Sequence, residues 1–244
     1  MATKPRSPRR KPAFNNSINP ESRAYTAHVL TQSSQFKNLQ IFDHPLIHHK
    51  LSLARNQVTQ PEHFRRLLNE IAGLMVYEVS RNFSTATYTV QTPLEPAPGR
   101  RLSQPVTLVP ILRAGLGMTD GILRLFPEAR VGHIGIQRDE HTKLPVHYYS
   151  HFPHDISAGP VIIVDPMLAT GGSAVHAADH LCKLGCDKIQ MICLVSAPAG
   201  VQKMLDAHPS IPIYTAALDR ELDQNAFIRP GLGDAGDRVF GTPA

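Results

Sequence analysis

The sequence predicts an α/β fold organised as a doubly wound parallel sheet. Three observations carry that prediction. Apolar runs of strand length recur at residues 105–112, 131–137, 161–164, 188–195 and 211–218. Helical stretches fall between several of them, at about 118–125, 174–184 and 197–207. The strand runs end on loops that carry charge or glycine, such as Arg113-Ala114-Gly115-Leu116-Gly117 and Asp165 with the loop after it. Ligands of open α/β sheets bind at such strand ends.

Composition bounds the reading. The chain of 244 residues is long enough for one domain with a full core and some decoration. Its 42% hydrophobic content is ordinary, and no apolar run approaches membrane-spanning length. A formal charge of +5 suits small anionic substrates and also nucleic acid, although much of it lies at the N-terminus. Cys182, Cys186 and Cys193 form an odd, sparse set at a spacing unlike common zinc sites. We read all three as reduced core or near-core thiols of a cytoplasmic protein.

Residues 1–36 are set apart by Lys4, Arg6, Arg9, Arg10, Lys11 and several prolines. Without apolar periodicity this zone is expected to be a disordered basic tail. It lacks the apolar centre of a signal peptide, and its prolines argue against an amphipathic transit helix. The domain then occupies residues 37–244, with the fold starting near Asn38. His44 and His48 stand four apart, but Pro45 argues against a helix that starts before His44, and a metal site is not expected there. Thr59-Gln60-Pro61-Glu62 has the form of a capping box, followed by a helical stripe from Phe64 to Val79 that we assign to packing. Residues 84–104 fit a hairpin or irregular excursion.

The strand at 105–112 delivers Arg113 to a loop with two glycines, which suggests close backbone approach to a ligand; a surface arginine is the plainer alternative. The strand at 131–137 runs into Arg138-Asp139-Glu140, where Arg138 could be solvated or ion-paired. Residues 143–159 show no helical pattern and carry prolines, as lids often do.

The centre of the chain is Val161-Ile162-Ile163-Val164-Asp165-Pro166-Met167-Leu168-Ala169-Thr170-Gly171-Gly172-Ser173. A buried strand ends on a carboxylate, a small-residue loop follows, and a helix runs to Gly185. A helix N-terminus offers free N–H groups and partial positive charge to an anion, and Gly171 and Gly172 allow close wrapping. A carboxylate beside a phosphate suits sugar hydroxyls better than the phosphate itself. No lysine follows the glycines, so this is not a nucleotide-triphosphatase P-loop. An ordinary turn capped by Ser or Thr fits the stretch equally when it is taken alone. Near the C-terminus, Phe227 to Thr242 holds too many glycines for a stable helix, and its carboxylates do not match an EF-hand. A glycine-rich surface loop is the plain reading.

The central stretch resembles the PRPP (5-phospho-α-D-ribose 1-diphosphate) motif of the type I phosphoribosyltransferases. The usual second acid is replaced by Pro166, as in the uracil phosphoribosyltransferase branch. Arg113 to Gly117, Arg138 to Glu140 and the C-terminal segment resemble the same branch, so the likeness spans about Asn38 to Thr242. It implies a sheet with a small hood and a protruding loop or hairpin, and a packing arm around His44 to Leu51. It also implies transfer of phosphoribose from PRPP to uracil, giving UMP and diphosphate in pyrimidine salvage. By position, Asp165, Pro166, Met167, Leu168, Ala169, Thr170, Gly171, Gly172 and Ser173 would form the PRPP site. Asp165 would meet the ribose hydroxyls, and Leu168 to Ser173 the 5′-phosphate. Arg113 and Arg138 would bind the diphosphate. Ile228, Gly233, Asp234 and Ala235 would contact uracil, with Asp234 also near PRPP.

The base that takes the proton from uracil N1 is left open between Asp234 and the diphosphate. Mg²⁺ would be the cofactor, held mainly through PRPP with no protein ligand. The resemblance also implies GTP as an activator, as in some relatives, and a homo-oligomer, dimer or tetramer, is expected. Neither nucleic acid nor membrane is expected as a partner. The rival reading is a UMP-sensing, RNA-binding regulator of pyrimidine operons with the same fold. Such regulators keep the paired acids and lack this C-terminal segment, which also disfavours a purine enzyme.

Overall fold

The structure, a computed structural model, describes residues 29–138 and 145–242, with only the backbone of Arg138 and Pro145. The greater part of the expected tail therefore lies outside the described residues. The fold nevertheless starts earlier than Asn38. A short strand, β1 (Leu30–Gln32), pairs antiparallel with β2 (Leu39–Phe42), and Phe36 is buried between them in sequence. A strand of this length is too short for an alternation signal, which explains its absence from the sequence reading.

Two helices follow, α1 (Pro45–Arg55) and α2 (Pro61–Val79). His44 caps α1 by accepting from the Leu46 N–H at 3.1 Å, and His48 Nε2 lies 3.1 Å from the Phe42 carbonyl oxygen. The capping box does not form. Gln60 is the N-cap of α2 without a side-chain bond, and Thr59 instead donates to the Leu53 carbonyl at 2.7 Å. The excursion is a hairpin of β3 (Thr85–Gln91) and β4 (Pro96–Leu102), a largely exposed sheet of its own.

The doubly wound part then runs through β5 (Thr107–Leu112), α3 (Leu116–Leu123), β6 (Arg130–Val131), β7 (His133–Arg138) and β8 (Pro145–His151). It continues with β9 (Val161–Val164), β10 (Met167–Leu168), α4 (Gly172–Lys183), β11 (Ile189–Ser196), α5 (Pro198–Ala207) and β12 (Ile213–Leu218). A small pair, β13 (Glu221–Leu222) and β14 (Ile228–Arg229), precedes the last helix, α6 (Ala235–Phe240). The main sheet has the order β1-β2-β12-β11-β9-β5-β7-β8. Neighbours from β2 to β7 are parallel, and both edges are closed by antiparallel strands. Strand β8 was not foreseen. Of residues 143–159, which read as a lid, residues 145–151 form β8, the antiparallel edge partner of β7, and residues 143–144 lie outside the described residues.

Strand β9 shows how the core is built. Its alternate residues point to opposite faces, so a parallel strand covered on both sides must be apolar throughout. Ile162 and Val164 join one buried cluster with residues of α1, α2, α3 and α6. Val161 and Ile163 join the other, with α4 and α5. Cys186 and Cys193 are buried, whereas Cys182 is exposed on α4, contrary to expectation. Burial pushes the Cys193 thiol up to about 12, which makes it an inert packing group. No helix among the described residues is long and apolar enough to cross a membrane.

The edge position of β1 generates a stability prediction. A chain starting at residue 35 loses the β1 ladder and the partly buried Leu30, which a chain starting at residue 29 keeps. The shorter chain is expected to melt lower by several degrees, on the order of 2–4 °C per kcal/mol lost. Parallel thermal denaturation of the two chains checks this.

Candidate functional site

A cleft of about 520 Å³ opens above the carboxyl ends of β5, β7 and β9. Adjacent parallel strands deliver their following loops to the same edge, so Arg113 and Asp165 face one space although they are distant in sequence.

Asp165 follows β9 directly. Its N–H donates to the Ile192 carbonyl at 3.2 Å, which continues the sheet by one residue. The Pro166 carbonyl accepts from the N–H groups of Leu194 and Val195, both at 3.1 Å, so the turn is tied to β11. Asp165 is partly open to the cleft, with protein around its other sides. Burial pushes its carboxyl up to about 7, opposed in part by the Met167 N–H that donates to Oδ1 at 3.3 Å. Among the described residues, no cationic side chain contributes to that shift.

The chain then wraps a recess of about 60 Å³ formed by residues from Asp165 to Ala174. Gly171 is the N-cap of α4, has φ +78°, and no side chain caps the helix. A Cβ on Gly171 would lie 2.8 Å from the Gly200 carbonyl oxygen, so a larger residue there is both strained and crowded. The Ser or Thr cap that the sequence left open is therefore not formed. The first turn of α4 instead directs main-chain N–H groups toward the recess.

Arg113 follows β5, its side chain 59% exposed and reaching Asp237 at 3.4 Å. The loop behind it lies against the end of β9: a Cβ on Gly115 would stand 2.4 Å from the Val164 carbonyl oxygen. The Leu112–Arg113 and Arg229–Pro230 peptide bonds are cis.

The C-terminal segment forms the third wall. It is not wholly a loop, because Asp234 caps the short helix α6 and accepts from the Asp237 N–H at 3.0 Å. The glycine content of residues 231–236 hid this helix, whose own residues from Asp237 to Phe240 contain no glycine. Asp234 and Gly236 line the cleft opposite Asp165.

The structure thus brings Arg113, Asp165, Met167, Ala169, Ser173 and Asp234 around one cleft, and adds Leu168, Thr170, Gly171 and Gly172 at the recess. Pro166 is buried beneath the turn. Ile228 and Ala235 are buried and Gly233 is exposed, all beside the cleft rather than in its lining. The backbone of Arg138 ends β7 at the same edge, and its side chain lies outside the described residues. The sequence reading missed Gln137 and Tyr148, which also line the cleft. Tyr148 depends on β8, for which no strand signal was read. A ring cluster was missed as well. His147 of β8 lies with its ring centroid 5.7 Å from that of His176 and 5.2 Å from that of His180, both on α4. This contact ties the β7–β8 hairpin to the helix of the recess. Burial, then the neighbouring His147, His176 and Lys183, lowers the pKa of His180.

A sequence model of the family described as uracil phosphoribosyltransferase matches residues 41–242. The chain belongs to the uracil phosphoribosyltransferase family. A relative of that name from Salinibacter ruber is 52% identical over 206 residues, covering 84% of this chain and 98% of the relative. One from Streptococcus salivarius is 54% identical over 204 residues, covering 83% of this chain and 98% of the relative. Among solved structures, the AQ2163 protein from Aquifex aeolicus superposes with a TM-score of 0.81 at 34% identity, covering 84% of this chain and 99% of that one. The cleft between Asp165, Arg113 and Asp234 is accordingly the candidate active site of a uracil phosphoribosyltransferase family member.

The raised Asp165 pKa makes a signed prediction. Between the ordinary carboxyl value of 3.8 and about 7, the folded protein holds a proton that the unfolded chain releases. Stability contributed at this position is therefore lost as pH climbs through that window, and the full penalty applies above about pH 7. Asp165→Asn has the same size and no charge. It is expected to melt above wild type at pH 8, by about 2–4 °C for each kcal/mol relieved, and to converge with it near pH 4. Calorimetric melting at the two pH values checks this.

Proposed function

We propose that this chain transfers the phosphoribosyl group of PRPP to uracil, releasing diphosphate and forming UMP. The observation that carries the reading is the uncapped glycine recess at α4 opening into the same cleft as Asp165, Arg113 and Asp234, in a member of this family. Each part has a matching task. The 5′-phosphate sits in the recess against main-chain N–H groups at the positive end of α4. Asp165, ionised above about pH 7, accepts hydrogen bonds from the ribose hydroxyls. Arg113 and Arg138 stabilise charge on the departing diphosphate.

The C1′–oxygen bond breaks as the N1–C1′ bond forms, and C1′ carries oxocarbenium character between the two. The N1 proton passes to Asp234 or to the diphosphate. Holding N1 against C1′ contributes much of the acceleration. Uracil is read by main-chain groups of Ile228 and of Gly233 to Ala235. The carboxyls of Asp165 and Asp234 in one cleft are oxygen donors that suit a hydrated Mg²⁺. Bound with PRPP, Mg²⁺ supplies charge neutralisation for the diphosphate. GTP activation, a homo-oligomeric state and a cytoplasmic place in pyrimidine salvage rest on the family resemblance alone. The RNA-binding alternative is not favoured by any feature of the cleft.

Two outcomes test the reading. Gly171→Val should weaken PRPP binding by tenfold or more, since a branched side chain must enter space held by Gly200. Titration calorimetry with PRPP measures it, and unchanged affinity in a folded variant removes the recess from the site. Uracil should exceed cytosine in kcat/KM by about 10⁴-fold, because fixed main-chain donors and acceptors cannot suit both edges. The 5-position does not touch that edge, so 5-fluorouracil should react comparably. A competition assay with the three bases decides; equal use of uracil and cytosine would overturn the assignment of the segment.

A further inference from the structure

A charge removed from water must be compensated by partners, and a buried ion pair often contributes no more stability than an apolar pair of the same volume. Such a pair calls for a reason beyond packing. Asp219, directly after β12, is only 7% exposed, and its partner Arg55 is half-buried, its side chain 23% exposed. Arg55, the last residue of α1, meets it as a fork: Nη1 donates to Oδ2 at 2.8 Å and Nη2 to Oδ1 at 2.7 Å. Both residues also bond to one further residue, Gly231. Arg55 Nη1 donates to the Gly231 carbonyl at 2.8 Å, and the Gly231 N–H donates to Asp219 Oδ2 at 2.9 Å.

The two polar main-chain groups of Gly231 are thus held by the two members of one ion pair. The position demands glycine, with φ +66° and a would-be Cβ 2.0 Å from the Ile228 carbonyl oxygen. The next carbonyl is also held. Arg238 Nη1 donates to Leu232 O at 2.7 Å, and its Nη2 donates to Asn56 O at 2.8 Å, beside Arg55 at the end of α1. Ile228 and Leu232 are buried and locate the turn in space. Apolar burial is non-directional and does not set how a peptide plane is rotated. Hydrogen bonds to both groups of Gly231 do set it, two residues before Gly233.

We infer that Arg55 and Asp219 are positioning residues for base recognition: they fix the main-chain orientation of the segment that reads uracil, without touching the substrate. The inference rests on the function proposed above and names a specificity device for that site. Neither residue lines the cleft. Readout by main-chain groups depends on their orientation, so a small rotation at Gly231 is carried straight into Gly233 to Ala235. The phosphate recess and Arg113 stand on β9 and β5, to which the pair has no bond. Loss of the pair should therefore separate the two substrates kinetically.

The test uses the full chain and steady-state kinetics in both substrates. Wild type is measured first: if it forms no UMP from uracil and PRPP, the proposed function fails, whatever the variants do. In an active background, Arg55→Lys keeps the charge but cannot fork onto Asp219 while holding Gly231. Asp219→Asn keeps the size but loses the charge. Each is expected to raise KM for uracil about tenfold and to narrow the uracil-to-cytosine ratio in kcat/KM, with KM for PRPP within twofold of wild type. The double variant R55M/D219L removes both charges together. It leaves no unpaired charge, although the Gly231 N–H and C=O lose their partners, so it is expected to melt above Asp219→Asn yet to keep the raised uracil KM. Stability recovered without recovered uracil KM is a result that a purely structural role does not produce. Unchanged uracil KM in the folded single variants overturns the inference. So do parallel rises in both KM values, or recovery of uracil KM along with stability in the double variant. Should the double variant fail to fold, Arg55→Lys alone decides.

Discussion

Among the described residues, no side chain caps the first turn of α4, whose main-chain N–H groups are left without one. Much of the site follows from that one unmet need. Backbone donors at a helix end must find water, a cap or a ligand. Here the cap position is taken by Gly171, pressed against Gly200 so closely that no side chain fits. A helix that could have been stabilised locally is left open to an anion. Relative to a Ser or Asp at that position, a glycine cap costs only about a few tenths of a kcal/mol.

Asp165 makes a second sacrifice a few residues away. Its carboxyl is disfavoured by its surroundings, and no cation among the described residues offsets the cost. The protein supports both groups with the most regular part of the fold, a strand buried on two faces and flanked by parallel neighbours. Rigid apolar layers hold a destabilising pair of features at a fixed spacing, which is the usual relation between a scaffold and the site it carries.

The sequence was most informative where one physical signal dominated. Val161 to Val164 could only be a strand covered on both faces, and Gly185 stopped α4 where expected. The central motif, Arg113 and Asp234 were readable, and they do share one cleft. Less was legible where two signals competed. Thr59 had the spacing of a cap, but its hydroxyl was drawn back to Leu53 by the turn after α1. Glycines at 231, 233 and 236 masked the helix that Asp234 caps. Strand β8 is an edge strand and carries two histidines and two tyrosines among its seven residues, so neither alternation nor an apolar run announced it. Tyr148 and the His147 contact went with it. The Arg55–Asp219 pair had no local signature at all, because its partners lie 164 residues apart.

That separation has a consequence for biosynthesis. The recess is complete once α5 has been made, since Gly171 rests on Gly200. The segment proposed to read the base is joined to Arg55 from near the start of the fold through Gly231 near its end, 176 residues later. A chain growing from a ribosome folds what it already possesses. All residues of the recess are therefore synthesised before the segment proposed to read the base, and Arg55 waits through most of translation for its partner.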